Sequence, residues 1–248
     1  MTALLPRVLA WSLLAWPLAA APKILIVADE FPAMQALASR VREATQVESE
    51  IVEQTKIPPD IQSRPAVIVY IHQKIGEPAE LRFIDYARAG GKLILLHHSI
   101  SSGKRPNQYW FPFLGIQLPE GDVAAGGYKY YEGVELEYVN LAPGEYVTTK
   151  GIVYNRQVEY NGKKLPGFEL ADTEVYLNHI FTTPKHVLFG IKYTDKAGKV
   201  YMQDRGGWYE HTGKGWVFYF MAGHSIKDFE NPFYAQAVIN ALVWQPKE

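Results

Sequence analysis

The sequence predicts an α/β protein built on an open, doubly wound sheet of parallel strands. Three short apolar runs, at residues 23–28, 66–71 and 92–96, are typical of strands that are covered on both faces. Two segments with apolar residues at helical spacing separate these runs along the chain. Strands and helices that alternate in this way form right-handed crossovers, because each helix packs back onto the sheet that its strands build.

The first half of the chain follows this alternation element by element. Pro32 opens a helix whose apolar positions are Met34, Leu37, Ala38 and Val41. Residues 47–52 alternate apolar and acidic side chains, which predicts a half-covered edge strand. Residues 77–89 then form the second predicted helix, and the two glycines that follow supply the left-handed cap that ends it.

The second half consists of short segments in which aromatic and charged residues alternate, beginning near residue 128. Residues 187–194 and 199–204 flank a four-residue turn and predict a hairpin. A second turn, at residues 212–215, leads into an apolar strand at residues 216–220. We expect these strands to be β-rich additions to the same sheet.

The chain ends in a predicted helix over residues 232–244, with apolar side chains on its inner side. We find no linker, internal repeat or low-complexity block in the sequence. We therefore expect residues 22–248 to form one domain.

The N-terminus has the composition of a secretory signal. Arg7 precedes an apolar run that a proline ends, and three alanines follow. The run is too short for a retained membrane helix, which needs about 20 apolar residues. Pro22 disfavours cleavage directly before it, so we expect a leader within residues 1–21 that is cut after Ala19 or Ala20. The mature protein would then work in a bacterial periplasm or outside the cell.

Composition and charge restrict the function classes. The 248 residues include 25 Lys and Arg against 26 Asp and Glu, a formal charge of −1, and 48% are hydrophobic. This balance supports one sizeable core and excludes the basic profile of a nucleic-acid-binding protein. Beyond the leader, no stretch is apolar and long enough to cross a membrane. Cysteine is absent, which excludes disulfides, thiolate zinc sites and a cysteine nucleophile, so any chemistry must use oxygen groups and imidazoles.

Histidines follow two of the predicted apolar strands. His97, His98 and Ser99 come directly after the third apolar run, and His224 follows the strand at residues 216–220. Ligands of open α/β sheets bind outside the carboxyl ends of the strands, so these residues are candidates for one site. Both His97 and His98 can face that site only if the strand has already ended, because consecutive strand residues point to opposite faces. A histidine packed in the core is the alternative.

A further candidate segment supplies carboxylates. Asp172 and Glu174 share a face if the segment is extended, whereas in a loop either can turn toward the histidines. Histidines with one carboxylate suit a divalent metal with open coordination positions, and they equally suit an acid/base pair without a metal. We therefore take His97, His98, Glu174 and His224 as candidate catalytic residues and, alternatively, as metal ligands. The spacing lacks the tight H-x-x-x-H pattern of a strong metal motif.

Several aromatic residues are candidates for holding a sugar, because aromatic rings pack against the apolar faces of sugar rings. The candidate substrate-binding residues are Ser99, Tyr109, Trp110, Tyr176 and Trp208. Packing in the core is the alternative role for the aromatic members. No G-x-G-x-x-G, Walker A or G-x-S-x-G pattern occurs, so neither a phosphate cradle nor a serine-hydrolase elbow is indicated.

Three blocks of the sequence together resemble a known family. They are residues 90–98, the pair Glu174 and Tyr176, and the segment 213–232, of which the last is the most specific. The family is the ThuA-like, or trehalose-utilisation, domain, and the resemblance covers nearly the whole mature chain. It implies a flavodoxin-like, class I glutamine amidotransferase-like fold of three layers, with a mostly parallel central sheet and β-rich C-terminal additions. The family lacks the amidotransferase cysteine, so the resemblance does not imply cysteine-dependent chemistry.

The resemblance also implies a function in the catabolism of disaccharides or keto-sugars. The chain departs from the family pattern in two places. Residues 121–165 lack the usual Asp-x-x-His-Pro segment, and Thr173 interrupts the acidic pair.

Two main functions are open on these grounds, and a third, a structural partner protein, has only the aromatic surface in its favour. The first is an exported enzyme, a hydrolase, lyase or isomerase, that acts on a small-molecule carbohydrate at the strand ends. An imidazole or the carboxylate would remove a proton next to a carbonyl or activate water, and a bound metal would polarise a substrate oxygen. The second is a non-catalytic sugar- or glycan-binding protein that uses the same crevice. Imidazoles that converge in the fold favour the enzyme, and imidazoles that lie far apart favour the binding protein.

Overall fold

A computed structural model describes residues 22–246 of the chain. The predicted leader at residues 1–21 therefore lies outside the described residues. Within residues 22–246, no helix is both long enough and apolar enough to cross a membrane.

The described chain folds into strands, α-helices and several short 3₁₀ turns. The strands are β1 Ile24–Ala28, β2 Ser49–Val52, β3 Val67–Tyr70, β4 Lys92–Leu96, β5 Ile116–Gln117, β6 Lys129–Asn140, β7 Arg156–Tyr160, β8 Lys163–Leu177, β9 Ile180–Phe181, β10 His186–Thr194, β11 Val200–Thr212 and β12 Gly215–Phe220. The helices are α1 Phe31–Thr45, α2 Glu77–Arg88, α3 Trp110–Leu114, α4 Tyr146–Thr149, α5 Ile226–Glu230 and α6 Pro232–Val243.

Ten strands form one sheet in the order β2-β1-β3-β4-β12-β11-β10-β6-β8-β7, and β5 pairs separately with β9. The four pairings from β2 to β12 are parallel. The five pairings from β12 to β7 are antiparallel. The protein is therefore a mixed α/β fold with a large central sheet, and the prediction of a mostly parallel sheet is wrong for the C-terminal half. Short turns join β10 to β11 and β11 to β12, and a short turn can connect only antiparallel neighbours.

The helices cover the parallel half of the sheet in two groups. Helices α1, α5 and α6 pack against one another and α4 packs against α6, whereas α2 packs against α3. Right-handed crossovers explain the division, because β1-α1-β2 and β3-α2-β4 run in opposite directions along the sheet and so place α1 and α2 on opposite faces. Strands β1 and β3 are buried along their whole length, as expected for strands covered on both faces.

The predicted hairpins, edge strand and last helix are present. The segment predicted at residues 187–194 is β10, which pairs with β11, and β2 lies at the edge of the sheet. Most important for the site, β4 and β12 pair in parallel register, with Leu96 opposite Phe220. The segments that follow these two strands therefore leave the sheet side by side.

We predict that Lys92, at the start of β4, makes the free energy of unfolding rise with pH in the alkaline range. Burial lowers the pKa of its amine to about 8 from the ordinary value of 10.5. The Nζ atom donates to the backbone carbonyls of Leu242, at 2.7 Å, and Trp244, and a neutral amine can still donate to both. Between these two pH values the unfolded chain binds more protons than the folded chain, so the free energy of unfolding rises with pH.

Lys92→Met removes this titration, and we expect the rise between pH 8 and pH 10.5 to be smaller than in the unmodified chain. Urea unfolding at both pH values measures it. The matched control is Lys163→Met at an exposed position, which should keep the full rise. An undiminished rise in Lys92→Met would contradict the prediction.

Candidate active site at the strand ends

The histidine doublet lies just beyond the end of a strand. Strand β4 ends at Leu96, and a 3₁₀ turn begins at His97 with a left-handed φ of 40°. Because the chain has left the strand, His97 and His98 do not point to opposite faces, and their ring centroids lie 4.1 Å apart. A positive φ is uncommon for a residue other than glycine, and such strained positions occur often at functional sites.

Three imidazoles converge on one carboxylate. Glu174 Oε2 lies 2.7 Å from His97 Nε2 and 3.2 Å from His224 Nδ1. The third nitrogen, His98 Nδ1, lies 3.9 Å from the same oxygen. One nitrogen or oxygen atom from each of the four residues falls within a group that spans at most 4.8 Å. The structure thus brings together the four residues that the sequence analysis selected, and we call this group the His–Glu cluster.

The His–Glu cluster is mostly enclosed. His97, His98 and Glu174 are buried, whereas 29% of the His224 side chain is exposed. Solvent therefore reaches the cluster on the side of His224.

Tyr176 adds a hydroxyl to the cluster. Its Oη lies 3.1 Å from Glu174 Oε2, 3.0 Å from His98 Nδ1 and 3.3 Å from His97 Nε2. A hydroxyl has one proton to donate, so it can satisfy only one of these three acceptors at a time. Tyr176 is a predicted substrate-binding residue, and it is fully buried beneath the cluster.

The charges of the cluster are coupled. Burial alone would raise the pKa of Glu174, but the close contacts of its carboxylate with the imidazoles of His224 and His97 lower this pKa to about 2. The same contact with Glu174 raises the pKa of His224 against the opposing effect of burial. Burial, together with the neighbouring His97, His72 and His224, lowers the pKa of His98. At neutral pH the cluster therefore holds an ionised carboxylate beside a neutral His98.

A bulge in β8 gives Glu174 its direction. The register between β6 and β8 shifts twice near Gly133, and Asp172 takes a left-handed φ of 57°. Thr173 and Glu174 are consequently both buried, although they are adjacent in the strand. The predicted common face of Asp172 and Glu174 is wrong, because Asp172 is exposed and pairs with Lys227 at 2.8 Å.

Asp228 positions the loop that carries His224, and the sequence analysis missed it. Its buried Oδ2 accepts hydrogen bonds from the backbone nitrogens of Gly223, at 3.0 Å, and His224, at 2.8 Å. It also accepts a bond of 2.6 Å from the Thr173 hydroxyl. Ser225 to Asp228 has the S-x-x-D spacing of a helix N-terminus, which is the signal that could have identified it.

His72 and Asp29 were also missed. The ring of His72 packs on His98 with centroids 3.3 Å apart, and its Nδ1 lies 3.5 Å from Asp29 Oδ1. Asp29 follows β1 and His72 follows β3 closely, so the rule that selected the other histidines also applies to them. The site edge therefore includes four strand ends rather than two.

Three of the predicted substrate-binding residues contribute to the core instead. Trp110 is buried and its Nε1 donates to the carbonyl of Ser99 at 2.7 Å. The Ser99 hydroxyl donates to the carbonyls of Val69 and Leu96, each at 2.9 Å. Trp208 is buried because β11 lies inside the sheet between β10 and β12.

The remaining predicted contact, Tyr109, is 40% exposed and directly precedes α3. Its backbone nitrogen donates to the buried Glu80 carboxylate at 2.8 Å. It takes no part in the His–Glu cluster as that cluster was defined above.

Fold and site together define a mixed α/β protein with a histidine-rich centre at the strand ends. The chain matches the sequence model of the ThuA family, described as trehalose utilisation, over residues 27–245, and it belongs to that family. The predicted family is thereby confirmed. No curated protein sequence matches the chain.

Solved structures share the fold at low sequence identity. A ThuA-like protein of Parabacteroides merdae superposes with a TM-score of 0.64 and 14% identity, covering 89% of this chain and 88% of that one. A ThuA-like protein of Bacteroides uniformis gives 0.60 and 16%, covering 92% and 94%. A cytoplasmic protein of Salmonella typhimurium LT2 gives 0.56 and 16%, covering 89% and 98%.

We predict that Asp228→Asn destabilises the fold by about 1.5–3 kcal/mol, because it replaces charge-assisted hydrogen bonds to three donors. An amide oxygen in the position of Oδ2 still faces these three donors, but it accepts more weakly than a carboxylate oxygen. Urea unfolding measures the change. Asp85→Asn, at an exposed position of α2, is the matched control and should change stability by less than about 0.5 kcal/mol. Equal effects of the two substitutions would show that Asp228 does not hold this loop.

Proposed function

We propose that this protein is an enzyme of carbohydrate catabolism whose reaction takes place at the His–Glu cluster. The observation that carries the proposal is the convergence of three imidazoles on one buried carboxylate at the carboxyl edge of the parallel strands. The family description, trehalose utilisation, supports a sugar as the substrate class. A disaccharide or a keto-sugar is the substrate that we propose.

Two kinds of chemistry suit this arrangement. The Glu174 carboxylate or an imidazole can remove a proton next to a carbonyl or activate a water molecule. Alternatively, His97, His98, Glu174 and His224 would hold a divalent ion, which would supply the charge that polarises a substrate oxygen. In both cases His224 is the group that a substrate meets first, because it is the most exposed of the four.

The alternative of a non-catalytic sugar-binding protein receives less support. It depends on aromatic side chains that are open to a glycan, and of the four aromatic candidates Trp110, Trp208 and Tyr176 are buried while Tyr109 alone is exposed. The imidazoles of His97 and His224 lie 5.4 Å apart, centroid to centroid, which is the converging arrangement that favours an enzyme.

His224→Ala should lower turnover of the substrate by at least about 100-fold, which is the usual contribution of an acid/base group. Because the side chain is partly exposed, the variant should still fold, as far-ultraviolet circular dichroism and thermal unfolding would show. The assay is a screen of the purified chain against native disaccharides and against keto-disaccharides, in which one ring hydroxyl is oxidised to a ketone. His186→Ala, an exposed histidine on β10, is the control and should retain full turnover.

Unchanged turnover in His224→Ala would exclude the proposed site. Saturable sugar binding without any turnover in the unmodified chain would favour the binding protein.

We also propose that the chain is exported through its N-terminal segment. The support is the sequence pattern of Arg7, the apolar run and the alanines. Expressed with residues 1–248 in a Gram-negative host, the protein should be found in the periplasmic fraction with Ala20 or Ala21 as its first residue. N-terminal sequencing and intact mass check this. Leu13→Asp interrupts the apolar run and should keep the full-length chain in the cytoplasm. A cytoplasmic, uncleaved wild-type chain would contradict export.

A further inference from the structure

Two hydrogen-bond acceptors of the His–Glu cluster face each other, and this contact is favourable only if an additional cation or proton is present. His97 Nδ1 contacts the backbone carbonyl of Met221, which can only accept, so Nδ1 carries the proton of a neutral ring. His97 Nε2 then presents a lone pair to Glu174 Oε2 at 2.7 Å. Two lone pairs at this distance repel each other unless a positive species lies between them or against them.

Neither of the other two imidazoles makes a hydrogen bond to Glu174 that would remove this conflict. His224 Nδ1 lies 3.2 Å from Glu174 Oε2 but is not aligned for a hydrogen bond, and it has no other partner among residues 22–246. His98 Nδ1 contacts the Tyr176 hydroxyl at 3.0 Å, and within residues 22–246 Tyr176 supplies the only hydroxyl that hydrogen-bonds a side chain of the cluster. One hydroxyl proton serves one acceptor, so Tyr176 cannot satisfy both His97 Nε2 and Glu174 Oε2.

We propose that His97, His98, Glu174 and His224 bind one divalent transition-metal ion, and that Zn²⁺ is the first candidate for this ion. The donor chemistry supports this class. Three imidazole nitrogens with one carboxylate oxygen suit Zn²⁺ and its first-row neighbours, whereas Mg²⁺ and Ca²⁺ prefer oxygen donors throughout.

The distances fit such an ion. Bonds of about 2 Å place the ligands of a tetrahedral Zn²⁺ about 3.3 Å from one another. The separations of 2.7, 3.2 and 3.9 Å from Glu174 Oε2 to the three nitrogens lie on both sides of this value. No two of the four atoms are more than 4.8 Å apart, so side-chain rotations that move the outlying nitrogens inward by about 1.5 Å would bring all four to one ion.

The surroundings have the outer contacts that metal-binding histidines need. The Met221 carbonyl fixes which nitrogen of His97 faces the cluster, and Asp228 holds the backbone of His224. Tyr176 can donate its proton to the carboxylate from below. Such outer partners orient ligands and commonly change metal affinity by about 10- to 100-fold.

The ion also deepens the proposed function, since it would supply the polarising charge in the metal-assisted version of the reaction, with the substrate oxygen as a fifth ligand beside the four from the protein. Binding of the ion does not depend on that function. The competing explanation is an imidazolium at His97 paired with Glu174, which needs no metal.

The test uses the untagged chain, stripped of metal with a chelator and titrated with Zn²⁺ by calorimetry. We expect one ion per chain. We expect Glu174→Gln and His224→Ala each to weaken Zn²⁺ binding by at least about 100-fold, and Tyr176→Phe to weaken it by about tenfold. His186→Ala is the matched control and should bind Zn²⁺ as the unmodified chain does. The absorption spectrum of the Co²⁺-loaded chain reports the coordination number and geometry of the bound ion without relying on activity.

His224→Ala keeps the test valid if the buried Glu174→Gln fails to fold, because His224 is partly exposed. Absence of stoichiometric Zn²⁺ binding, or binding that is equally strong in the folded His224→Ala variant, would overturn the metal site. Sugar turnover by a chain that binds no metal would leave the proposed function in place through acid/base chemistry alone. Metal binding without turnover of any sugar would support the metal site and count against the proposed function.

Discussion

The buried carboxylate of Glu174 is the charge on which the arrangement of the strand ends depends. A carboxylate removed from water is destabilising by several kcal/mol unless hydrogen-bonding or charged partners face it. Here two of the partners come from segments far apart in the sequence, His97 after β4 and His224 after β12. Because Leu96 and Phe220 lie opposite each other in the sheet, the two segments emerge at one point, and the carboxylate can be satisfied there.

The two halves of the sheet make different contributions to this centre. The parallel half delivers the imidazoles through strand ends, as open α/β folds deliver their ligand-binding groups. The antiparallel half delivers Glu174 and Tyr176 from β8, which lies four places from β12 in the sheet order. Strand β8 is 15 residues long, and its bulge changes the direction of the strand just before Glu174. The antiparallel strands of the C-terminal half therefore form one side of the site.

The sequence predicts the parts of the site that depend on local order along the chain. An apolar run followed at once by His97 and His98 is sufficient to place both histidines at a strand end. The S-x-x-D spacing before Asp228 is equally local, and it could have been used. The burial of Trp208 was not predictable in the same way, because it depends on β11 having a strand on each side.

The direction of Asp172 was not predictable either. It follows from a register shift against β6, a strand more than thirty residues earlier in the chain, and a register shift leaves no periodic signal in a single segment. The parallel half was predicted well for the opposite reason. Its strands are short, continuously apolar and separated by helices, so local pattern and final topology agree.

The centre is rigid on its inner side and open at one group. The Met221 carbonyl binds the ring of His97, and the Tyr219 hydroxyl donates to the His97 carbonyl at 3.2 Å, which holds the positive φ of this residue in place. Asp228 fixes the backbone of His224 but leaves its ring partly exposed. Fixed inner groups of this kind are what acid/base and metal chemistry both need, because neither tolerates misplacement of about 1 Å. Since the other three members are buried, we expect one functional group of a sugar, rather than a whole ring, to reach Glu174 past His224.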